Sequence, residues 1–261
     1  MPNSVEAQAE SIVKAHDERI GFDQSTALLE IADLNHALAI QRAYVDQLRA
    51  RDGAPAGYKI GLTSRTMQEM CGIDHPVPGR VLRSRVRPSG ASISVGEGVR
   101  LGIEFEIAVR VGRDLAGTSR SFKMADIASA VDSVGAAFEI VDDRNADYAQ
   151  LDVLALVADN AWNAGAVLGK FQSTWPDLRE VRGTIECDGF EPEPCRGRDV
   201  LGHPLAPVVW LANHLAARGT PLQAGEVVLT GSMARTRFVS PGQGYRMTLQ
   251  GLGAVEVSIV P

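Results

Sequence analysis

The sequence predicts an α+β fold, and three observations carry the prediction. Apolar residues recur at helical spacing over about the first 50 positions, the period changes to two from about Arg80, and a further amphipathic helical stretch interrupts the later strand-like runs. No internal repeat, low-complexity tract or long linker divides the 261 residues. A helical N-terminal region, residues 1–79, and a β-rich body, residues 80–261, are therefore expected as one compact unit.

In chain order, Leu34, Leu38, Val45 and Leu48 form an apolar stripe with Ala37 and Gln41 beside it, and Asp33 ahead of it has the acceptor side chain of an N-cap. Arg51–Gly57 (RDGAPAG) ends that helix with Gly and Pro. Tyr58–Ser64 (YKIGLTS) reads as a short strand leading into a helix over Arg65–Cys71, and Asp74–Gly79 as a Pro/Gly-rich loop. The clearest strand follows. Val99, Leu101, Ile103, Phe105, Ile107, Val109 and Val111 alternate with Arg100, Gly102, Glu104, Glu106, Ala108, Arg110 and Gly112. Met124–Val134 suits a helix and Gly135–Asp142 a strand. Pro204–Arg218 is a helix with apolar Leu205, Val208, Val209, Ala212 and Leu215, stopped by Gly219. Val227–Ser232 (VVLTGS) and Gly253–Val260 read as closing strands.

Bulk composition narrows the function. With 26 basic against 32 acidic residues the net charge is −6, which gives no electrostatic footprint for nucleic acid or an anionic membrane surface. An anionic substrate would need a local positive centre, either a metal or a buried cation. Cys71, Cys187 and Cys195 are odd in number and lack any C-x-x-C pairing, the pattern of reduced structural thiols rather than of disulfides or a zinc site. The opening MPNSVEAQAESIV lacks the basic and apolar regions of a secretory signal, and the longest apolar runs fall short of a membrane span. A cytoplasmic location is expected.

Five places could carry chemistry. Glu104 and Glu106, two apart on a strand, leave the same face, so they either decorate a wet face or share a hard cation such as Mg²⁺. Glu139 sits within Ala136–Val141 (AAFEIV), where a carboxylate needs a buried Arg or Lys partner or a metal. Lys59, between Tyr58 and Ile60, is either a snorkelling surface lysine or a general acid/base. Asp159 in ADN (Ala158–Asn160) could orient Lys59, a water or a ligand, or simply cap a turn. Thr230–Ser232 (TGS) ends a strand with hydroxyls suited to a carboxylate, or with ordinary turn chemistry. There is no G-x-S-x-G elbow, P-loop, H-E-x-x-H or dinucleotide-binding glycine fingerprint, and the histidines show no ligand spacing.

Taken as an ordered set, several segments resemble the 2-hydroxypentadienoate (2-keto-4-pentenoate) hydratase / 4-oxalocrotonate decarboxylase family of the fumarylacetoacetate hydrolase superfamily. They are YKIGLTS from Tyr58, GIEFEIAVRVGRDL from Gly102, AAFEIVDDR from Ala136, ADNA from Ala158, LGHPLAPVVWLANHLAARG from Leu201 and GEVVLTGS from Gly225. The resemblance implies a mixed β-sandwich or roll of the fumarylacetoacetate hydrolase C-terminal type, preceded by a helical region. It implies that Glu104, Glu106 and Glu139 hold Mg²⁺ or Mn²⁺ and that Lys59 faces the substrate; beside these, Asp159 is expected to be catalytic and Thr63 and Ser232 to contact substrate.

The activity expected from this resemblance is hydration of a 2-hydroxy-2,4-dienoate to a 4-hydroxy-2-oxo acid in aromatic catabolism. Decarboxylation of a 2-oxo-3-enedioate is the alternative. Hydrolysis of a C–C bond ranks lower, because no N-terminal His/Glu water activator is evident, and a non-catalytic partner subunit is the rival from another class. The expected partners are a small unsaturated 2-oxo acid, further copies of the chain in a homo-oligomer, and a sister decarboxylase or hydratase. Two places depart from the family pattern. Trp162 and Asn163 follow ADNA where Ser is common, and Pro76–Gly79 (PVPG) replaces a loop that usually carries an acid and an aromatic.

Overall fold

The computed structural model describes residues 4–117 and 121–261. Helices α1 (Val5–Asp17), α2 (Phe22–Thr26) and α3 (Leu34–Asp52) form the N-terminal region. Strand β1 (Pro55–Gly61), helix α4 (Arg65–Met70) and strands β2 (Val77–Leu82), β3 (Val86–Pro88), β4 (Ala91–Ser94) and β5 (Leu101–Val111) follow. Then come α5 (Met124–Ala128), β6 (Val131–Asp142), α6 (Val153–Ala158), β7 (Asn163–Leu168), β8 (Arg182–Cys187) and β9 (Glu193–Arg196). Helix α7 (Leu205–Ala216) precedes β10 (Val227–Ser232), β11 (Arg237–Phe238), β12 (Gly244–Leu249) and β13 (Gly253–Val260).

The strands form two mixed sheets. The larger runs β2-β1-β10-β5-β6-β7-β3, with β11 also on β5, and the smaller runs β4-β13-β12-β8-β9. Ile103, Phe105 and Ile107 of β5 share one buried cluster with Ile185, Met247, Val255 and Val257 of the smaller sheet and Val208 and Leu211 of α7. A second cluster joins Ile12 of α1, Ile40 and Tyr44 of α3, and Leu156 and Val157 of α6. The larger sheet thus lies between the smaller sheet with α7 on one face and α1, α3 and α6 on the other, which explains why β6 is buried without a break from Ser133 to Asp142. The expected α+β sandwich with a helical N-terminal region is the observed architecture.

Local chemistry explains most element ends. Asp33 accepts from the His36 N–H as the N-cap of α3, and Gly53, at φ 73°, closes the same helix. Two expected boundaries move. The helix expected over Met124–Val134 stops at Ala128, because Val131 and Val134 enter β6 opposite Val111 and Val109 and gain a ladder that outweighs helical propensity. The loop expected over Asp74–Gly79 gives way to β2 from Val77, which pairs antiparallel with β1. Pro78 is tolerated there because β2 is an edge strand. The boundary expected at residue 79 falls inside β2, and both β1 and β2 belong to the larger sheet. All three cysteines are free, and among the described residues no helix is long and apolar enough to cross a membrane.

Candidate metal centre and its surroundings

Register assembles the site. In the antiparallel β5–β6 ladder Glu104 stands opposite Glu139 and Glu106 opposite Ala137, so all three carboxylates leave one face of the sheet. That face is not wet: Glu106 and Glu139 are fully buried and Glu104 is half-buried. Ligand oxygens of the three lie within 4.8 Å of one another. Strand β10 brings Gly231, whose N–H donates to Glu106 Oε2 at 2.7 Å, and Thr236 Oγ1 donates to Glu104 Oε1 at 2.7 Å. Gly231 has φ 110°, and a Cβ there would sit 2.1 Å from Thr63 Oγ1, so only glycine lets this amide reach the carboxylate.

Lys59 arrives from β1, which is parallel to β10 in register Lys59 with Leu229. Its Nζ lies 3.3 Å from Glu139 Oε1, and the side chain is 5% exposed, which rules out the snorkelling reading. Asn163 Nδ2 donates to the same oxygen at 2.9 Å. Burial works to lower the Lys59 pKa, but the Glu139, Glu104 and Glu106 carboxylates outweigh it and the net shift is upward, so the amine is held as ammonium. Burial pushes the Glu139 carboxyl up to about 7 against the opposing pull of Lys59, with Glu104 adding to the rise, and burial together with Glu139 and Glu104 raises Glu106 well above its usual range.

Two buried oxygens in this cluster, Glu106 Oε1 and Glu139 Oε2, have no hydrogen-bond partner among the described residues. Such atoms are costly to bury, and an all-carboxylate oxygen set suits a hard divalent cation. The residues present therefore fit Mg²⁺ or Mn²⁺, with Glu104, Glu106 and Glu139 as the holding groups.

The other expected site residues are placed differently. Thr63 is buried against Gly231, and its hydroxyl has no hydrogen-bond partner among the described residues. The Ser232 hydroxyl accepts from the Phe105 N–H at 2.9 Å and donates to Ala234 O at 2.8 Å, so it braces β10 on β5. Asp159 is fully buried, but its oxygens meet His16 Nε2 at 2.6 Å and Arg144 at 2.5 Å, not Lys59. A surface cleft of about 850 Å³ is lined by Tyr58, Arg80 and Glu226 among others and contains none of the three glutamates. Tyr58 and Lys59 leave opposite faces of β1, so that cleft opens on the other side of the strand.

Comparison with known proteins agrees with this geometry. The fumarylacetoacetate (FAA) hydrolase C-terminal family profile matches residues 75–260. A 2-keto-4-pentenoate hydratase from Burkholderia vietnamiensis is 34% identical over 87% of this chain and 86% of its own length. A 4-oxalocrotonate decarboxylase from Pseudomonas putida is 33% identical over 78% of this chain and 77% of its own. The solved 4-oxalocrotonate decarboxylase of Pseudomonas putida G7, complexed with magnesium and adipate, superposes with a TM-score of 0.88 at 30% identity, covering 98% of this chain and 97% of that one.

This chain belongs to the 2-keto-4-pentenoate hydratase / 4-oxalocrotonate decarboxylase family. Both activities in the family's name are lyase reactions, and this chain is a lyase-type enzyme of that family. Within this hydratase/decarboxylase frame, sequence reasoning missed three groups that shape the cluster. Asn163 was legible only as a departure after ADNA, the Gly231 amide lay unnoticed inside TGS, and Thr236 carried no signal at all.

Proposed function

We propose that this chain is a divalent-metal-dependent lyase of a small unsaturated 2-oxo acid in aromatic catabolism, with Glu104, Glu106 and Glu139 holding Mg²⁺ or Mn²⁺. Decarboxylation of a 2-oxo-3-enedioate of the 4-oxalocrotonate type is the reaction best supported. The observation that carries the reading is the pair of unpartnered buried oxygens, Glu106 Oε1 and Glu139 Oε2, in a cluster only 4.8 Å across.

When bound, the ion supplies Lewis acidity towards the carboxylate and 2-oxo oxygens of such a substrate. Lys59 handles the proton. The bond to the departing carboxylate breaks, CO₂ leaves, and the electron pair passes along the conjugated chain towards the 2-oxo group. One proton must then be supplied, and Lys59, kept as its ammonium beside Glu139, gives it from Nζ. Thr63, with its free hydroxyl beside Gly231, meets the substrate carboxylate in this reading, while Ser232 keeps its bracing bonds.

Hydration of a 2-hydroxy-2,4-dienoate is the second reading, favoured by curated relatives named as hydratases at 31–34% identity. It ranks second because adding water calls for a base as well as a proton donor, and the nearest carboxylates are the metal-holding ones. Self-assembly, and association with a sister decarboxylase or hydratase, belong to the same proposal and are read by size-exclusion chromatography with light scattering.

The test supplies purified protein with Mg²⁺ and follows CO₂ release from 4-oxalocrotonate and loss of dienol absorbance from 2-hydroxypentadienoate. Metal-dependent CO₂ release supports the first reading. Dienol loss without CO₂ transfers the assignment to hydration. Turnover of neither, with no Mn²⁺-dependent rise in thermal midpoint, overturns both in favour of a non-catalytic partner subunit.

A further inference from the structure

The buried ion group around Asp159 does not touch the carboxylate cluster, yet the chain joins the two over four residues. His16, in the last turn of α1, lies 2.6 Å from Asp159 Oδ1 through Nε2. Its ring stands 5.6 Å from that of Tyr44, which packs it from α3. Arg144, fully buried just beyond β6, reaches Asp159 Oδ2 at 2.5 Å and also donates to Ile20 O and Ser25 Oγ at 3.0 Å. Both oxygens of Asp159 are thus tied to the N-terminal region and to the end of β6.

The residues that follow are held in an uncommon path. Asn160, Ala161 and Trp162 have φ of 55°, 48° and 60°, three successive left-handed residues of which none is glycine. Such a run persists only where its surroundings over-determine it. The restraints here are explicit. Asn160 accepts from the Arg80 N–H at 2.7 Å and donates to Arg80 O at 2.9 Å, and Trp162 is wedged edge-on between Phe22 and Tyr148. The Trp162 N–H returns to Asp159 O at 3.1 Å. The next residue is Asn163, whose amide donates to Glu139 Oε1, the oxygen that Lys59 also faces.

We infer that His16 is a positioning residue of the catalytic centre: by fixing Asp159 it holds the left-handed turn that aims Asn163 at Glu139, which makes α1 a working part of the site. The inference deepens the proposed metal-dependent function and rests on it for its catalytic consequence. The geometric claim, that His16 governs where the Asn163 amide sits, stands apart from any metal.

The experiment compares His16→Ala, His16→Gln, Asn163→Ala and the His16→Ala/Asn163→Ala double variant. The readouts are the side-chain amide NMR signal of Asn163 in metal-free protein, Mn²⁺ affinity, and kcat and KM. Expected for His16→Ala are a shifted or broadened Asn163 signal, Mn²⁺ binding weakened several-fold and kcat reduced at least tenfold. His16→Gln, whose amide can still donate to Asp159, should restore most of each. The double variant should be no worse than Asn163→Ala alone, because the two act through one path. An Asn163 signal unchanged in both His16 variants overturns the inference, as does strict additivity in the double variant. If His16→Ala does not fold, His16→Phe, which keeps a ring beside Tyr44 but cannot donate to Asp159, takes its place with the same expected and overturning results. If wild-type protein binds no Mn²⁺, the proposed function fails, and the metal-free signal still decides the role of His16.

Discussion

Glu104 and Glu139 face each other directly across the β5–β6 ladder, with Glu106 two residues along the same strand face. Like charges so placed repel, and among the described residues Lys59 is the one cation paired with Glu139. The metal-free cluster is therefore a destabilising arrangement, retained for what it can bind.

The first prediction concerns that trade. Glu106→Gln removes one buried charge and gives Glu139 a possible donor. The metal-free protein should gain roughly 1–3 kcal/mol, the cost of leaving a buried polar group unpaired. Mn²⁺ affinity should fall by at least about 10–100-fold, a range seen even for groups that only brace a ligand. Denaturant unfolding and calorimetric titration measure the two together, and a variant that lost stability while binding Mn²⁺ normally would contradict the assignment.

Lys59 divides binding from turnover. Its removal in Lys59→Ala takes away a cation that competes for Glu139, so Mn²⁺ should bind as well as before or more tightly. Turnover should drop by about 10²–10⁴-fold, the usual contribution of a general acid. Equal rates in variant and wild type would remove Lys59 from the chemistry.

The raised Glu139 carboxyl sets a pH dependence. Its pKa moves from the ordinary 4.5 to about 7 on folding, so between these values the native state holds more protons than the unfolded chain. Stability of the metal-free protein from this group is full below the lower value and is lost as pH rises through 7. The thermal midpoint should therefore decline over that window, and Glu139→Gln should flatten the decline. Metal binding competes with the same proton, so Mg²⁺ affinity should rise across the window. A midpoint that climbs from pH 5 to 7.5 without metal would show that burial does not protonate this group.

Gly79 tests the close packing behind Lys59. A Cβ there would lie 2.7 Å from Asn160 O and 2.9 Å from Lys59 Cγ, contacts that force backbone or lysine to move. Gly79→Ala should cost about 1–3 kcal/mol in denaturant unfolding, as overpacking does. It should also slow turnover more than it weakens Mn²⁺ binding, because Lys59 is displaced and the glutamates are not.

Ser232 separates bracing from binding. Its hydroxyl is taken up by Phe105 N and Ala234 O, so Ser232→Ala should lower stability by about 1 kcal/mol with little change in KM. A large rise in KM at unchanged stability would return Ser232 to substrate contact.

What the sequence by itself determined is local or periodic. The alternation in Val99–Val111 specified β5 and placed Glu104 and Glu106 on one face, because side chains alternate with period two. Asp33 and Gly53 marked the ends of α3 for reasons of capping, and the family motifs identified Lys59 and Glu139 by resemblance.

Tertiary structure decided the rest. Whether the glutamate face is wet or buried depends on Lys59 of β1 and Asn163 of β7, which no spacing in β5 encodes. Asp159 has the sequence position of a catalytic group, yet its partner His16 is 143 residues away, and only packing of α1 reveals the pair. Short-range geometry is written into neighbouring residues. Which distant side chain completes a buried charge is fixed only when strands and helices close upon one another, since the cost of leaving that charge unpaired acts only after water has been excluded.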